Sequence, residues 1–378
     1  YPQIGVQITQ ETEFDHRNFD PIKVVTTDAD GKFSFPSLSA GNYNLVLWKT
    51  DWGIRYLCSV RAEEKENNNL GTIELYPATS YDSPLVNEPT IFKSDHSYFV
   101  LTDVNFMSSV EFQPRAQIFI NPAAMLKFYG AVTTPEFTSS QDMWKITSGK
   151  EIYSTSQVTM DFDSYYSTVN FYGDQVSIKS GFVTYGDNAL NSINVSSSEM
   201  YYMVFRDCGT ALTINQGNVD VRYLVIYNCN NSGIVYTSNI DGSDTSVYIT
   251  KSIAIDIIQR AVSAEKAKNL YINNCYFQDN YFAINNKYCS GNIEYNEFSN
   301  NYYDIYYSRA YRLHDEIHYN NFYNSYNNSI YLTGKINNIT NNNFYGLSDY
   351  FIYILQPYTP FSMVYDDVNA TNNYWAVE

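Results

Sequence analysis

The sequence predicts an all-β protein, with a small β-sandwich over residues 1–77 and a parallel β-helix over residues 78–378. Three observations predict it. One motif, a large apolar residue and a second apolar residue seven or eight positions later, recurs seven times in register. Its period of about 20–30 residues is that of a solenoid. No stretch carries a sustained helical period with caps, so helices are not expected.

The N-terminal unit reads as short strands separated by turns. Gly5–Ile8 alternates, and Val24 and Val25 follow. Asp30–Gly31 is a turn signal leading into Phe33–Phe35. Gly41 opens the alternating run to Leu47, and Asn69–Leu75 closes the unit. The run TTDADGKFSFPSLSAGNYNLVL with the closing NLGTIEL resembles the carboxypeptidase regulatory-like domain. That resemblance covers about a fifth of the chain. It implies a small sandwich serving as a non-catalytic spacer or stalk.

The repeat begins each unit with an anchor. The anchors are Phe205, Ile226, Ile255, Phe277, Phe298, Phe322 and Phe344, spaced 21, 29, 22, 21, 24 and 22 residues apart. The second apolar residues are Leu212, Ile234, Val262, Ile284, Ile305, Ile330 and Ile352. Each unit is too short for two helices and rich in β-branched and aromatic residues, so it reads as one coil of short strands. Coils bury their inward side chains only by stacking, with rungs ~4.8 Å apart.

The corners carry a second pattern. Cys275, Asn296, Asn320 and Asn342 sit two residues before their anchors. Cys208, Cys229, Ile258, Asn280, Asn301, Ser325 and Leu347 sit three after. Aligned asparagines can hydrogen-bond to backbone and to one another up the stack. Cys208 and Cys229 occupy equivalent positions, which suits packed thiols. Coil length, anchors and asparagine corners resemble the right-handed parallel β-helix superfamily that includes pectate lyases and many adhesin-like proteins. The match spans roughly residues 90–378. Ala370–Trp375 looks like the terminal motif of such helices, and the stretch from Tyr98 to Phe137 looks like their first coils. The register of residues 138–200 is not legible.

Composition narrows the partners. The net charge of −17 argues against nucleic acid, which is bound through Lys and Arg, and against an anionic membrane surface. No run of apolar residues is long enough to span a bilayer. The chain opens within strand-like sequence, so a mature or excised segment of an extracellular or cell-surface protein is expected. The five cysteines are odd in number and lack a CxxC pair, so neither a disulfide framework nor a zinc site is expected.

Several constellations could carry function. Tyr306, Tyr331 and Tyr353 each follow an inward isoleucine, so they form one outward column. Tyr281, Tyr302 and Tyr326 form a second, each four residues past its anchor. Rows of rings on a rigid sheet suit stacking against sugars, although tyrosine ladders also stabilise a sheet by themselves. Tyr358, Phe361 and Tyr365 lie in a Pro-containing loop that reads either as a lid completing a platform or as a C-terminal cap. His314, Glu316 and His318 would share one strand face, where solvated side chains are the plain reading and a metal the sharper one. Asn239, Asp241 and Asp244 resemble part of a calcium loop, but no bidentate Glu follows. A plain turn is favoured there over structural calcium, and no other cofactor is expected. Asp161 and Asp163 alternate on one strand face as a carboxylate pair.

Three functions compete. A polysaccharide lyase or glycoside hydrolase needs a base with a cation, or carboxylates facing one groove. The column of Arg206, Asp256 and Gln278 continues as Ser299, Tyr323 and Tyr345, so no carboxylate cluster crosses adjacent coils. A purely structural stalk would show unadorned faces. A binder needs only a rigid aromatic face. The Tyr- and Asn-rich composition and aromatic loop are similar to the tāpirins, cellulose-binding surface proteins of lignocellulose-degrading thermophilic bacteria. That resemblance implies adhesion to cellulose without catalysis, and it favours an insoluble polysaccharide as partner.

Overall fold

The computed structural model describes residues 3–10, 21–49, 52–64, 68–121, 124–134, 143–148, 150–153, 158–161, 168–172, 175–184, 188–193, 195–238, 245–308, 315–333, 338–355 and 368–376. Among these, every regular element is a strand. Three parallel sheets run the length of the body, and each coil contributes one strand to each. One coil shows the plan: Asn269–Asn273 in the first sheet, Tyr276–Gln278 in the second and Phe282–Lys287 in the third. The first sheet has 11 strands, the second 13 and the third 12. The earliest coil strand is Thr79–Tyr81, and the last is Tyr374–Ala376. This is the expected parallel β-helix.

Stacking brings identical residues together inside the coil. Phe277, Phe298, Phe322 and Phe344 form one interior column that exposed Trp375 ends, with ring centroids 5.2, 4.9, 4.8 and 4.5 Å apart. Leu212, Ile234, Val262, Ile284, Ile305, Ile330 and Ile352 are in register on the third sheet, as the spacing predicted. A buried side chain of this size is worth roughly 1.5–3 kcal/mol, and each is covered by its neighbours above and below together with inward residues of the other sheets.

One anchor is corrected. Ala254, not Ile255, pairs with Ile226 and Phe277. Ile255 stands in the outward row between Tyr227 and Gln278, so Asp256 is not part of that column. Ile257 replaces Ile258 at the inward corner, opposite Cys229, and Ile258 is exposed. Strand alternation decides this: Ile253 and Ile255 flank a small residue, and only the small residue faces the core.

The asparagine corners form two buried ladders. Along the first, the backbone N–H of Cys275, Asn296, Asn320 and Asn342 donates to the side-chain oxygen of the asparagine in the next coil, ending on Asn373, at 2.9–3.0 Å. The amide nitrogens of Asn296, Asn320 and Asn342 donate along the same line. The second ladder runs from Ile257 N–H to Asn280 and on to Asn301. It ends on Asp304, which accepts from Asn301 and Ser325. Asp304 is fully buried, and desolvation pushes its carboxyl up to about 7.

The corners are tight because one residue in each adopts φ near +55°. Between the second and third sheets these residues are Asp207, Asn228, Asp256, Asp279, Asn300, Asn324 and Gly346. Asn, Asp and Gly tolerate that conformation best. Between the first and second sheets they include Tyr202, Tyr223, Tyr295 and Tyr319. The left-handed region costs an ordinary residue roughly 1–2 kcal/mol.

Among the described residues the N-terminal unit shows one sheet rather than the two of a sandwich. It is one antiparallel sheet, ordered Lys23–Thr26, Gly5–Gln10, Gly41–Lys49, Gly53–Ala62. Phe33–Phe35 and Asn69–Leu75 are not strands; Phe33, Phe35, Ile73 and Leu75 lie over the sheet and cover its apolar face. The Asp28–Lys32 turn is there, closed by Asp28 Oδ1 accepting from the N–H of Asp30 and Lys32. On the other face Val46 and Trp48 pack against Phe99 and Phe119 of the second helical sheet. Arg55 reaches Asp95 across this junction at 3.0 Å, and Arg115 of the next helical coil meets the same carboxylate at 2.8 Å. Gly5 is required there, since a Cβ would lie 2.3 Å from the Trp48 ring.

The unreadable segment of 138–200 owes its opacity to an insertion. The coil strand Trp144–Ser148 is followed by an antiparallel hairpin, Lys150–Tyr153 with Val158–Asp161, before the coil resumes at Thr168–Phe171. Ile146, Val183 and Phe205 are in register, but the insertion stretches the step from Ile146 to Val183 to 37 residues.

Two outcomes are expected. Asn320→Ala leaves buried N–H groups without acceptors and lowers unfolding free energy by on the order of 3 kcal/mol in a urea titration. Asn343→Ala, at a partly buried side-chain pair, stays within about 0.5 kcal/mol. Asp304 supplies a pH dependence. Its folded pKa is raised above the unfolded value near ~3.9, so its contribution is full below that pH and is lost as pH rises to about 7. Asp304→Asn therefore raises the urea midpoint at pH ~8 and changes it little at pH ~4.

Candidate functional site

The tyrosine columns stand on the third sheet and on the corner before it. Tyr306, Tyr331 and Tyr353 are paired in register, with centroids 4.9 and 5.1 Å apart and planes within 23°. That separation exceeds the ~3.5 Å contact distance between carbons, so the rings are offset, the arrangement aromatic pairs prefer. Each ring covers part of the next. The column therefore offers ring edges and phenol hydroxyls together with partial faces, rather than the fully open faces that alternation alone suggested.

Tyr281 and Tyr302 stack at 4.9 Å on the corner. Tyr326 continues the same backbone position, its N–H donating to Asn301 just as that of Tyr302 donates to Asn280. No stacking contact joins Tyr326 to Tyr302 among the described residues, and Tyr326 is 67% exposed. With Asp256, Asp279 and Asn300 these rings line a shallow groove.

Phe282 and Tyr303 join the two columns, and the repeat pattern of the sequence singles out neither. They stack on each other at 4.8 Å and meet Tyr281 edge-on, at 4.8 and 5.9 Å. Phe282 also meets Tyr306 at 5.6 Å, and Tyr303 meets Tyr331 at 6.1 Å. Tyr350 extends the face through Tyr353 at 5.3 Å. The signal was present: Phe282 and Tyr303 stand two residues before their inward isoleucines, the period of an outward row.

The polar content of the face is specific. Asn327 donates to the hydroxyls of Tyr302 and Tyr303, at 3.2 and 3.4 Å. Burial, reinforced by neighbouring tyrosines, raises the phenols of Tyr303 and Tyr331 above their usual value. Both hydroxyls stay protonated and able to donate. On the same sheet Asn285 Oδ1, Asn328 Oδ1 and Arg260 Nε are buried without a hydrogen-bond partner. Such atoms are costly unless water or another polar group meets them.

The other candidates stand apart. Glu316 and His318 flank inward Ile317, and His318 bridges Glu294 at 2.6 Å and Glu316 at 3.3 Å. That pairing explains them as a surface cluster of a histidine and two carboxylates held to one another. His314 lies outside the described residues, as do Asn239, Asp241, Asp244, Asp163, Tyr358, Phe361 and Tyr365. Asp161 is in the inserted hairpin. Among the described residues no group of three or more His, Cys, Asp or Glu is placed to hold a metal. Cys208, Cys229, Cys275 and Cys289 are buried free thiols. Burial pushes Cys275 and Cys289 up to about 12.

The fold and the face define a class, parallel β-helix proteins with a continuous aromatic outer surface. No protein-family model matches the chain, and no curated protein matches it. Among solved structures the chain is similar to two mutant tailspike proteins of E. coli bacteriophage HK620, each in complex with a pentasaccharide. Identities are 12% and 10%, and TM-scores are 0.29 and 0.27. The alignments cover 77% of this chain and 60% of the tailspike chains, so this chain spans less than two thirds of their length. Likeness at this level carries no functional argument.

The buried thiols give a direct check on the packing. Iodoacetamide at pH ~8 is expected to leave Cys275 and Cys289 unmodified in the native protein and to label both in guanidinium, read by peptide mass spectrometry.

Proposed function

We propose that this protein binds polysaccharide on the third-sheet face and does no chemistry on it. The observation that supports this most directly is the joining of Tyr281, Phe282, Tyr302, Tyr303, Tyr306, Tyr331 and Tyr353 into one aromatic surface. Sugars present apolar C–H faces and hydroxyl rims. A surface of partial ring faces and protonated phenols meets both. The coils hold it rigid, so little ordering entropy is lost on binding. Insoluble cellulose is the ligand we favour, and the exterior of a cell its setting. The tāpirin resemblance motivates both.

A second reading draws on Asp256 and Asp279. They occupy adjacent coils and line the groove beside Tyr281 and Tyr302. Rungs stand ~4.8 Å apart, near the ~5–5.5 Å carboxyl separation of retaining glycosidases. That geometry would suit a hydrolase.

One experiment separates them. The protein is incubated with microcrystalline cellulose, xylan, pectin or chitin, and the supernatant is assayed for protein and for released sugar. Depletion without sugar release is expected, with affinity reduced roughly tenfold or more by Tyr306→Ala combined with Tyr331→Ala. Release of reducing ends that Asp256→Asn abolishes would replace the binder with the hydrolase.

A further inference from the structure

The two coil corners treat the same backbone constraint differently. At the corner between the second and third sheets, every left-handed position from Asp207 to Gly346 is Asp, Asn or Gly. Those residue types adopt φ > 0 at least cost. At the corner between the first and second sheets the equivalent residues are Tyr202, Tyr223, Lys251, Asn274, Tyr295, Tyr319, Asn341 and Asn372. Asparagine stands there three times, so it fits the position. Tyrosine stands there four times, with φ between 55° and 57°. A bulky residue in that region is strained, and strain of this kind marks sites kept for something other than stability.

These tyrosines are also turned to solvent. Their exposures are 47, 38, 54 and 47% in chain order. They stand as two stacked pairs, Tyr202 with Tyr223 at 4.7 Å and Tyr295 with Tyr319 at 5.0 Å, with planes within 7°. Backbone pairing holds the first pair in place: Tyr202 N–H donates to Arg222 O at 3.1 Å and Tyr223 N–H to Thr250 O at 3.2 Å. Lys251 donates to the Tyr223 hydroxyl at 3.0 Å and lies over its ring at 5.2 Å. Tyr202, Tyr223, Lys251, Asn274, Tyr295 and Tyr319 thus follow one another from coil to coil along this corner as a ridge. This corner is the one to which the third sheet does not contribute.

We infer that this ridge is a second polysaccharide-binding surface, so that one rod engages two glycan chains on opposite sides. The inference rests on the polysaccharide reading of the third-sheet face. Rings, phenol hydroxyls, an ammonium and amides along one line suit a chain of hydroxyl-rich sugars lying parallel to the coil axis. Two faces on a rigid body cross-link chains and add avidity, with no new contact at either face.

The test uses three proteins: wild type, a ridge variant with Tyr202→Asn, Tyr223→Asn, Tyr295→Asn and Tyr319→Asn, and a face variant with Tyr306→Ala and Tyr331→Ala. Asparagine is chosen because this corner already accepts it. The ridge variant should keep or raise Tm, whereas Tyr271→Asn, which breaks a strand stack on Tyr248 at 4.9 Å, should lower it. The probes are microcrystalline cellulose for pull-down and hydroxyethyl cellulose for cross-linking, read as turbidity. Each variant alone should bind cellulose at least fivefold more weakly and lose turbidity, and the two combined should not bind. A ridge variant that binds and cross-links like wild type overturns the inference while the third-sheet reading stands. A face variant that binds like wild type while the ridge variant does not puts binding on the ridge alone, which overturns both the third-sheet site and the inference that one body engages two chains. Wild type that binds neither probe overturns both. A ridge variant that changes oligomeric state in gel filtration but not glycan binding makes the ridge a contact between copies and also overturns the inference.

Discussion

Backbone pairing from coil to coil, spaced ~4.8 Å along one axis, is the constraint on which the rest depends. A coil has no core of its own, so every inward side chain must be met by the coil above and below. The corners pose the harder problem. There the chain leaves the ladder, and buried N–H groups lose their partners. The ladder through Asn296, Asn320 and Asn342 supplies acceptors at 2.9–3.0 Å in each coil. An asparagine can do this because its oxygen accepts from one coil while its nitrogen donates to another.

The same spacing produces the aromatic surfaces. Any residue type repeated at one coil position becomes a column with a step close to 5 Å. Inside, that makes the Phe277–Trp375 stack, which consolidates the core. Outside, it makes the Tyr306–Tyr353 column and its neighbours. One geometric rule therefore serves both stability and recognition. The two are separable only where the chain accepts a local cost, as at the left-handed tyrosines Tyr202, Tyr223, Tyr295 and Tyr319.

The N-terminal sheet illustrates a different economy. Among the described residues the N-terminal unit has one sheet, whose two faces are covered unequally. Irregular segments carrying Phe33, Phe35 and Leu75 close one side. The other side docks on the helix through Trp48, Phe99 and Phe119, with Asp95 gathering two arginines at the junction. A sandwich replaces one of these covers with a second sheet. Here the flank of the helix takes that role.

Much of this was written in the sequence, for a physical reason. Anchors and second apolar residues repeat because each must meet its own kind one rung away, so the period, the inward isoleucines, the asparagine corners and the outward Tyr306 column were all legible. Ile255 misled because Ala254, the true inward residue, is small, and hydrophobicity alone prefers the larger neighbour. The hairpin after Trp144 hid the register of its coil, because an insertion breaks spacing without breaking stacking. Phe282 and Tyr303 belong to no three-coil column, and their role comes from edge-on contacts with residues of their own and of neighbouring coils. The sequence by itself determined the coil, its period and which rows face inward, since those follow from alternation and like-on-like stacking. Tertiary structure alone decided how separate rows merge into one face and which corners are strained, because both depend on how the chain turns between sheets.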